Sequence, residues 1–171
     1  MITALTKDEL IATLRNEVRV LLHLLGKIEP RMLDYRPTRT QRSMLELVQY
    51  MAIMGPAQVR VIKGGVFNRD VLSSTWKPAE ESAAAMTFQQ AVLAIAAQGD
   101  LYARELGSWT DEDFRADVDM FGNRTTRGAL VVDLVVCGHA AYRTQLFCYL
   151  KSCGRDELNT MNLWAGMDGP A

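Results

Sequence analysis

Three short motifs, each a hydroxyl residue followed three positions later by Glu or Gln, constrain the fold of this chain more than any other feature. They are Thr6–Glu9, Ser43–Glu46 and Thr87–Gln90. In such a capping box, two side chains satisfy backbone donors that the first turn of an α-helix leaves without partners. Apolar residues at helical spacing follow each motif. The sequence therefore predicts helices that begin after residues 6, 43 and 87.

Apolar residues at spacings of three and four extend this pattern to four helices. The first is predicted over about residues 7–28 and ends before Pro30, and the second over about 44–63 ends at a Gly-Gly pair. Within the second, Pro56 removes a backbone donor and predicts a kink or a break. The third runs from Phe88 through Leu106, and the fourth over about 126–152, with Gly154 as a left-handed residue after its end.

These helices predict an all-α fold, a four-helix bundle packed antiparallel. The connection between the second and third helices, residues 66–86, and that between the third and fourth are both long, polar and rich in turn residues. Each is predicted to be a loop or to carry a short helix. A connection as long as 66–86 is often a functional or partner-facing segment.

Length and composition predict a single domain that spans residues 1–171. The chain has 171 residues and is 49% hydrophobic, which is enough for a continuous core. The tail over about 155–171 contains Met161, Leu163 and Trp164, so it is expected to pack back on the bundle.

The charges and apolar runs exclude two kinds of partner. Nineteen basic residues against twenty acidic ones leave no cationic surplus for displacing counterions from nucleic acid. No apolar run approaches the ~20 residues of a membrane span, and Lys7, Asp8 and Glu9 interrupt any N-terminal signal. A cytoplasmic protein without nucleic-acid or membrane partners is the expectation.

Three cysteines, an odd number, are expected to be reduced and buried. Cys137 and Cys148 lie about three turns apart in one predicted helix and cannot bridge each other. Apolar surroundings would raise the pKa of such thiols and make them unreactive. Cys153 follows near the end of the same helix.

Two sequence features resemble the DinB-like superfamily, which includes YfiT-like proteins. One is Arg36-Pro37 ahead of a second helix that starts at a serine, and the other is the phrase YRTQLFCYLKSCG over 142–154. The superfamily's fourth helix reads roughly H-R-G-Q-L-x-x-Y-L-R-x-x-G, with Thr144 here where glycine is usual. The matching positions are Arg143, Gln145, Leu146, Tyr149, Leu150 and Gly154. The resemblance implies an up-down-down-up four-helix bundle and a homodimer.

Many proteins of that superfamily bind a divalent cation through one His of the second helix and two His, four residues apart, of the fourth. Residues at i and i+4 share one helix face, so such a site is physically sound. By resemblance, the three positions here are Tyr50, Gly138 and Tyr142. The chain has only two histidines, His23 and His139, so a three-His site cannot form within it. The expectation is no metal and no cofactor.

His139 lies one residue past the first expected ligand of the fourth helix. A shift of one residue rotates a helical side chain by about 100 degrees. Two interpretations remain open: a non-standard site in which Glu46 or Asp133 assists the two histidines, and a buried histidine that is hydrogen-bonded to a neighbouring helix.

A pocket between the second and fourth helices is the candidate site. Its candidate residues are Tyr50, His139, Tyr142, Glu46 and Arg143. A phenol can donate a hydrogen bond or act as a general acid, and an arginine can hold an anion. Alternatively, the tyrosines fill vacated space and the arginine pairs with a nearby acid.

Three functions remain open at this stage, and the sequence does not decide whether the chain is an enzyme. The first is a DinB-like protein without the metal site that binds a small ligand in this pocket. The second is a metal- or thiol-dependent transferase or hydrolase-like enzyme with non-standard ligands around His139. The third is a homodimeric scaffold without catalysis. The missing His triad favours the first and the third.

Overall fold

The computed structural model describes residues 5–169, and most of them are helical. The α-helices are α1 (Lys7–Leu25), α2 (Met44–Gly64), α3 (Arg69–Ala84), α4 (Phe88–Ala96), α5 (Gln98–Gly107), α6 (Asp111–Arg115), α7 (Arg127–Leu130) and α8 (Cys137–Ser152). Two short strands are β1 (Asp117–Met120) and β2 (Asn123–Thr126). A 3₁₀ turn covers Pro30–Met32, and π-helical turns cover Val131–Val136 and Met161–Ala165.

The all-α prediction is confirmed. Four helical columns surround one core: α1, α2, the pair α4–α5, and the continuous run from α7 through the π-helical turn to α8. Within the described residues, β1 and β2 form a single antiparallel hairpin, which the sequence pattern did not predict. The largest fully buried side chains include Leu14, Leu21, Leu24, Met44, Leu47, Met51, Tyr102, Leu106 and Leu130.

All three predicted capping boxes are present at the helix starts. In each box the hydroxyl of the capping residue accepts a 3.2 Å hydrogen bond from the backbone N–H three residues later. The pairs are Thr6 with Glu9, Ser43 with Glu46 and Thr87 with Gln90. The reciprocal bonds from the caps to Glu9, Glu46 and Gln90 are each 2.8 Å. Together these bonds satisfy donors of each first turn, which explains why the helices begin there.

Three predicted helices differ from the structure in detail. The first helix ends at Leu25, three residues before its predicted end, because Gly26 and Lys27 form a turn. The third divides at Ala97, whose backbone remains right-handed helical, so α4 and α5 follow one another closely. The fourth contains the π-helical turn, and Gly154 adopts the expected left-handed conformation with φ +89°. Pro56 does not break α2, which continues to Gly64.

The long connections carry ordered elements. Residues 66–86 contain the sixteen-residue helix α3, whose N-cap Asn68 accepts a 2.8 Å bond from the backbone of Val71. α3 packs along α2. The connection between α5 and α7 contains α6 and the β1–β2 hairpin, which turns at Phe121 (φ 56°) and Gly122 (φ 88°).

Residues 155–169 lie against α1. Arg19 donates to the carbonyl of Ala165 at 2.8 Å, and Lys27 pairs with Asp168 at 2.6 Å. Two cysteines differ from expectation: Cys137 and Cys148 are exposed, because both lie on the outward face of α8, and only Cys153 is partly buried. Among residues 5–169, no helix is both long enough and apolar enough to cross a membrane.

Candidate functional site

α2 faces the helical column that contains α8 and the π-helical turn before it. The two are in contact at three successive levels along their length, each about one helical turn from the next. Tyr50 and Tyr142 pack edge to face, with ring centroids 5.0 Å apart. One turn further along α2, Met54 lies beside Gly138, and beyond it Gln58 shares a cavity with Leu134 of the π-helical turn. Residue numbers rise along α2 while they fall along the fourth column, so the two columns run antiparallel. The structure therefore brings the predicted tyrosines together.

Tyr50 is held between two further side chains. Trp76 of α3 stacks on it at 5.9 Å between centroids, with an interplanar angle of 13°, and the Arg42 guanidinium carbon lies 3.9 Å from the ring centroid. The guanidinium therefore makes a cation–π contact. Burial, reinforced by the neighbouring Tyr142 phenol, raises the pKa of Tyr50. Tyr50 consequently stays protonated at neutral pH and can donate a hydrogen bond, but it is a poor nucleophile.

The middle level does not fit a divalent cation. Gly138 has no side chain to offer, and a Cβ built there would meet the sulfur of Met54 at 3.2 Å and its methyl carbon at 3.3 Å. Two phenols and a thioether are not the imidazole, thiolate or carboxylate ligands that such cations prefer. Among the described residues, no three His, Cys, Asp or Glu side chains are grouped as metal ligands would be. The side chains at the three positions implied by the resemblance therefore do not fit a site of that type.

The third level contains a cavity of about 190 Å³, here called the inner cavity. It is lined by Gln58, Val61, Phe67, Leu72, Trp76, Met120, Phe121 and Leu134. The buried amide oxygen of Gln58 has no hydrogen-bond partner among the described residues. None of the eight lining side chains is titratable. The inner cavity is thus mainly apolar, and one of its lining side chains carries an unpaired acceptor.

An open groove of about 380 Å³ adjoins the inner cavity and is here called the outer groove. Leu72, Trp76 and Phe121 line both, so the two spaces are contiguous. Arg69 and Ser73 of α3 complete the lining of the outer groove.

A separate cavity of about 270 Å³ lies between α2 and α3, bordered by Glu46, Tyr50 and Glu80 among others. Glu46 has a structural role there. Its carboxylate accepts from Arg36 at 2.9 Å and from the Ser43 backbone at 2.8 Å, and both bonds lower its pKa. The carboxylate is therefore committed to closing the capping box of α2.

The hydrogen-bond partner of His139 is Tyr102 of α5. The Nε2 atom of His139 lies 2.7 Å from the Tyr102 hydroxyl. That hydroxyl donates to the amide oxygen of Gln98 at 3.1 Å, an atom that can only accept. Because the hydroxyl has one proton, His139 donates from Nε2 and its Nδ1 atom carries the lone pair.

Burial, helped by the charge of Arg143, lowers the pKa of His139 to about 4, so the ring is neutral at pH 7. His139 is 1% exposed and does not line the inner cavity. The second histidine, His23, lies 3.1 Å from Asn162 of the C-terminal segment. This geometry matches the alternative interpretation of a buried histidine bonded to a neighbouring helix.

Arg143 is also remote from the inner cavity. It is buried, with Nη1 3.3 Å from a carboxylate oxygen of Glu17 in α1, and its guanidinium lies 5.6 Å from the Trp164 ring centroid. Burial raises the pKa of Glu17, and the attraction of Arg143 opposes that rise. The arginine therefore pairs with an acid of the bundle instead of facing a ligand between α2 and α8.

The residues that define the inner cavity were not among the sequence candidates. Gln58 lies two turns after Tyr50 on the same face of α2, and this spacing was a signal that could have found it. Trp76 was hidden in a segment predicted to be a connection, and Phe121 in another. Their convergence depends on tertiary packing that no local pattern contains.

When this chain is compared with known proteins, the similarity is found between structures. No protein-family model matches this sequence, and no curated protein matches it. Among solved structures, the chain is similar to the crystal structure of the DinB-like protein YjoA from Bacillus subtilis, with a TM-score of 0.68. The two share 21% identity over 88% of this chain and 96% of that chain. At this identity the similarity establishes the architecture alone: this chain has the DinB-like fold.

Proposed function

We propose that this protein binds a small, mainly apolar molecule with one hydrogen-bond donor in the inner cavity, without a metal. The observation that carries the proposal is the buried amide oxygen of Gln58, which has no partner among the described residues. A buried acceptor left unpaired costs about 1–3 kcal/mol. A ligand donor that pairs with it recovers that free energy, and the apolar walls supply the rest of the affinity.

The size of the inner cavity sets the size of the ligand. A dry apolar cavity of about 150 Å³ is sufficient to bind benzene. The inner cavity, at about 190 Å³, is somewhat larger. A molecule with one or two fused rings therefore fits, and a drug-sized molecule does not.

The chemistry of the surrounding groups supports binding over catalysis. The inner cavity has no titratable lining residue, and the pKa of the nearby Tyr50 is raised. His139 is buried against Tyr102, and the thiols of Cys137 and Cys148 lie on exposed residues outside the inner cavity. General acid–base and thiol mechanisms need such a group within reach of the reacting atom. The metal- or thiol-dependent enzyme is therefore the less supported alternative.

Isothermal titration calorimetry with indole and benzofuran tests the proposal. The two probes have nearly the same shape, but only indole has an N–H donor. We expect indole to bind about tenfold more tightly than benzofuran, because one recovered hydrogen bond contributes about 1–1.5 kcal/mol. In Gln58→Met this preference should disappear, while benzofuran binding is retained or improved.

The matched control is Gln89→Met, at an exposed glutamine of α4 outside the inner cavity. It should preserve the preference for indole. Failure of both probes to bind the wild-type protein would overturn the proposal. Equal affinities for the two probes would show that Gln58 does not recognise a donor.

A further inference from the structure

We infer that the ligand is a small organic acid, whose flat apolar body fills the inner cavity while its carboxylate lies in the outer groove against Arg69. This inference rests on the proposed function and adds the charge of the ligand to it. Two observations support it: the inner cavity and the outer groove are continuous, and their lining residues differ in charge.

The walls shared by the two spaces show how one ligand reaches both. Leu72 and Trp76, one turn apart on α3, line the inner cavity on one side and the outer groove on the other. Phe121, at the tip of the hairpin, also contacts both. A planar molecule lying along Trp76 therefore has its outer end in the groove.

Arg69 supplies the only charge among the lining residues of either space. Within residues 5–169, its guanidinium forms no ion pair with a carboxylate. No acidic side chain lines the inner cavity or the outer groove. An anion is thus complementary to the outer groove, and a cation is not.

Carboxylate is the anion that best matches this environment. Arginine presents a planar set of donors that pairs with the two oxygens of a carboxylate. Ser73, four residues after Arg69 and on the same face of α3, adds a hydroxyl donor to the same groove. Arg69 precedes Trp76 by seven residues, about 10 Å along the helix axis, so a short acid arm on a fused ring spans the two spaces.

Three indole derivatives that differ only in the charge of the arm test the inference by calorimetry. They are indole-3-acetate, the neutral alcohol tryptophol and the cation tryptamine. We expect indole-3-acetate to bind about tenfold more tightly than tryptophol, as a charge-assisted hydrogen bond allows, and tryptamine to bind more weakly than tryptophol. Raising the salt concentration should reduce the preference for the acid, because the groove is open to solvent.

Arg69→Gln should remove the preference for indole-3-acetate over tryptophol. Arg39→Gln, at an exposed arginine outside both spaces, is the matched control and should preserve the preference. Equal affinities of the wild-type protein for indole-3-acetate and tryptophol would overturn this inference while leaving the proposed function intact. If none of the three compounds bound, the proposed function itself would fail, and this inference with it.

Discussion

The side chain of Gln98 donates a hydrogen bond of 2.9 Å to the carbonyl oxygen of Ala52. That carbonyl would ordinarily accept from the backbone N–H four residues later, but residue 56 is proline and has no N–H. The same amide group donates to the carbonyl of Met51, also at 2.9 Å. A side chain of α5 therefore compensates a defect in α2, which explains how α2 continues through Pro56.

We predict an energetic coupling between Pro56 and Gln98. In the wild-type background, Gln98→Met leaves the Ala52 carbonyl buried without a donor, which should cost about 1–3 kcal/mol of unfolding free energy. In a Pro56→Ala background, the new backbone N–H of residue 56 can supply that bond, so the same substitution should cost less. Urea unfolding of the four proteins in a double-mutant cycle measures the difference.

A coupling energy near 1 kcal/mol with the expected sign would support this role of Gln98. Additive effects would show that Gln98 stabilises the bundle through its bonds to the Met51 carbonyl and to Tyr102, and not by replacing the missing donor at residue 56. Gln89→Met provides the control, because that glutamine is exposed and makes no such bond. Its cost should be the same in both backgrounds.

Gly55 provides the space in which Tyr102 and His139 meet, and we predict that Gly55→Ala is strongly destabilising. A Cβ at this position would lie 1.8 Å from the Tyr102 hydroxyl oxygen and 3.2 Å from Nε2 of His139. The ring must move, which strains the core and breaks the buried bond. We expect a loss of about 2–4 kcal/mol of unfolding free energy.

Two comparisons separate this cause from a general effect on α2. Gly64→Ala, where a Cβ would meet nothing within 4 Å, should leave stability unchanged or raise it by up to about 1 kcal/mol. In a Tyr102→Phe background, Gly55→Ala should cost less than in wild type, because the clashing oxygen is gone. A Gly55→Ala protein as stable as wild type would contradict the packing described for this site.

The helix starts were predictable because their cause is local. Each capping box places both partners within four residues, so the sequence contains the whole interaction. Helix α3 was predicted only as a loop or a short helix, for the opposite reason: its cap is Asn68 without an acidic partner three residues later, and Pro78 lies in its interior. Its stability depends on packing along α2, which a local pattern does not show.

The candidate site was predictable only in part, for a similar reason. The resemblance to the DinB-like superfamily implied that Tyr50 and Tyr142 lie on facing helices, and the two rings do pack together. Neither the resemblance nor the helical pattern could reveal that His139, three residues before Tyr142, forms its hydrogen bond with Tyr102 of α5. A proline within α2 did signal an unpaired carbonyl nearby, but identifying Gln98 as its partner required the crossing of two distant helices.

The exposure of Cys137 and Cys148 leads to a prediction about thiol reactivity. Both residues should react readily with iodoacetamide in the native protein, whereas Cys153, which is partly buried and whose pKa is raised by burial, should react more slowly. Mass spectrometry of the labelled protein after digestion checks the order. Cys153 labelled as fast as Cys148 would contradict the burial described for it. In urea, the three rates should converge.

His139 should make the stability of the fold depend on pH. Burial lowers the pKa of the folded-state ring to about 4, whereas in the unfolded chain the pKa is about 6.5. Between these values the unfolded state binds a proton that the folded state does not, so this group lowers stability as pH falls from about 6.5 towards about 4. The shift corresponds to about 3 kcal/mol in total.

Comparison with His139→Gln isolates this effect. Glutamine can still donate to Tyr102 but does not titrate, so the wild-type protein should lose about 2–3 kcal/mol more than the variant between about pH 7 and about pH 4.5 in urea unfolding. Glu17 acts in the opposite direction, because its raised folded-state pKa favours folding as pH falls, but it is present in both proteins and cancels in the difference. Parallel pH profiles for the two proteins would mean that the ring of His139 accepts a proton in the folded state as readily as in the unfolded chain, contrary to its burial against Tyr102.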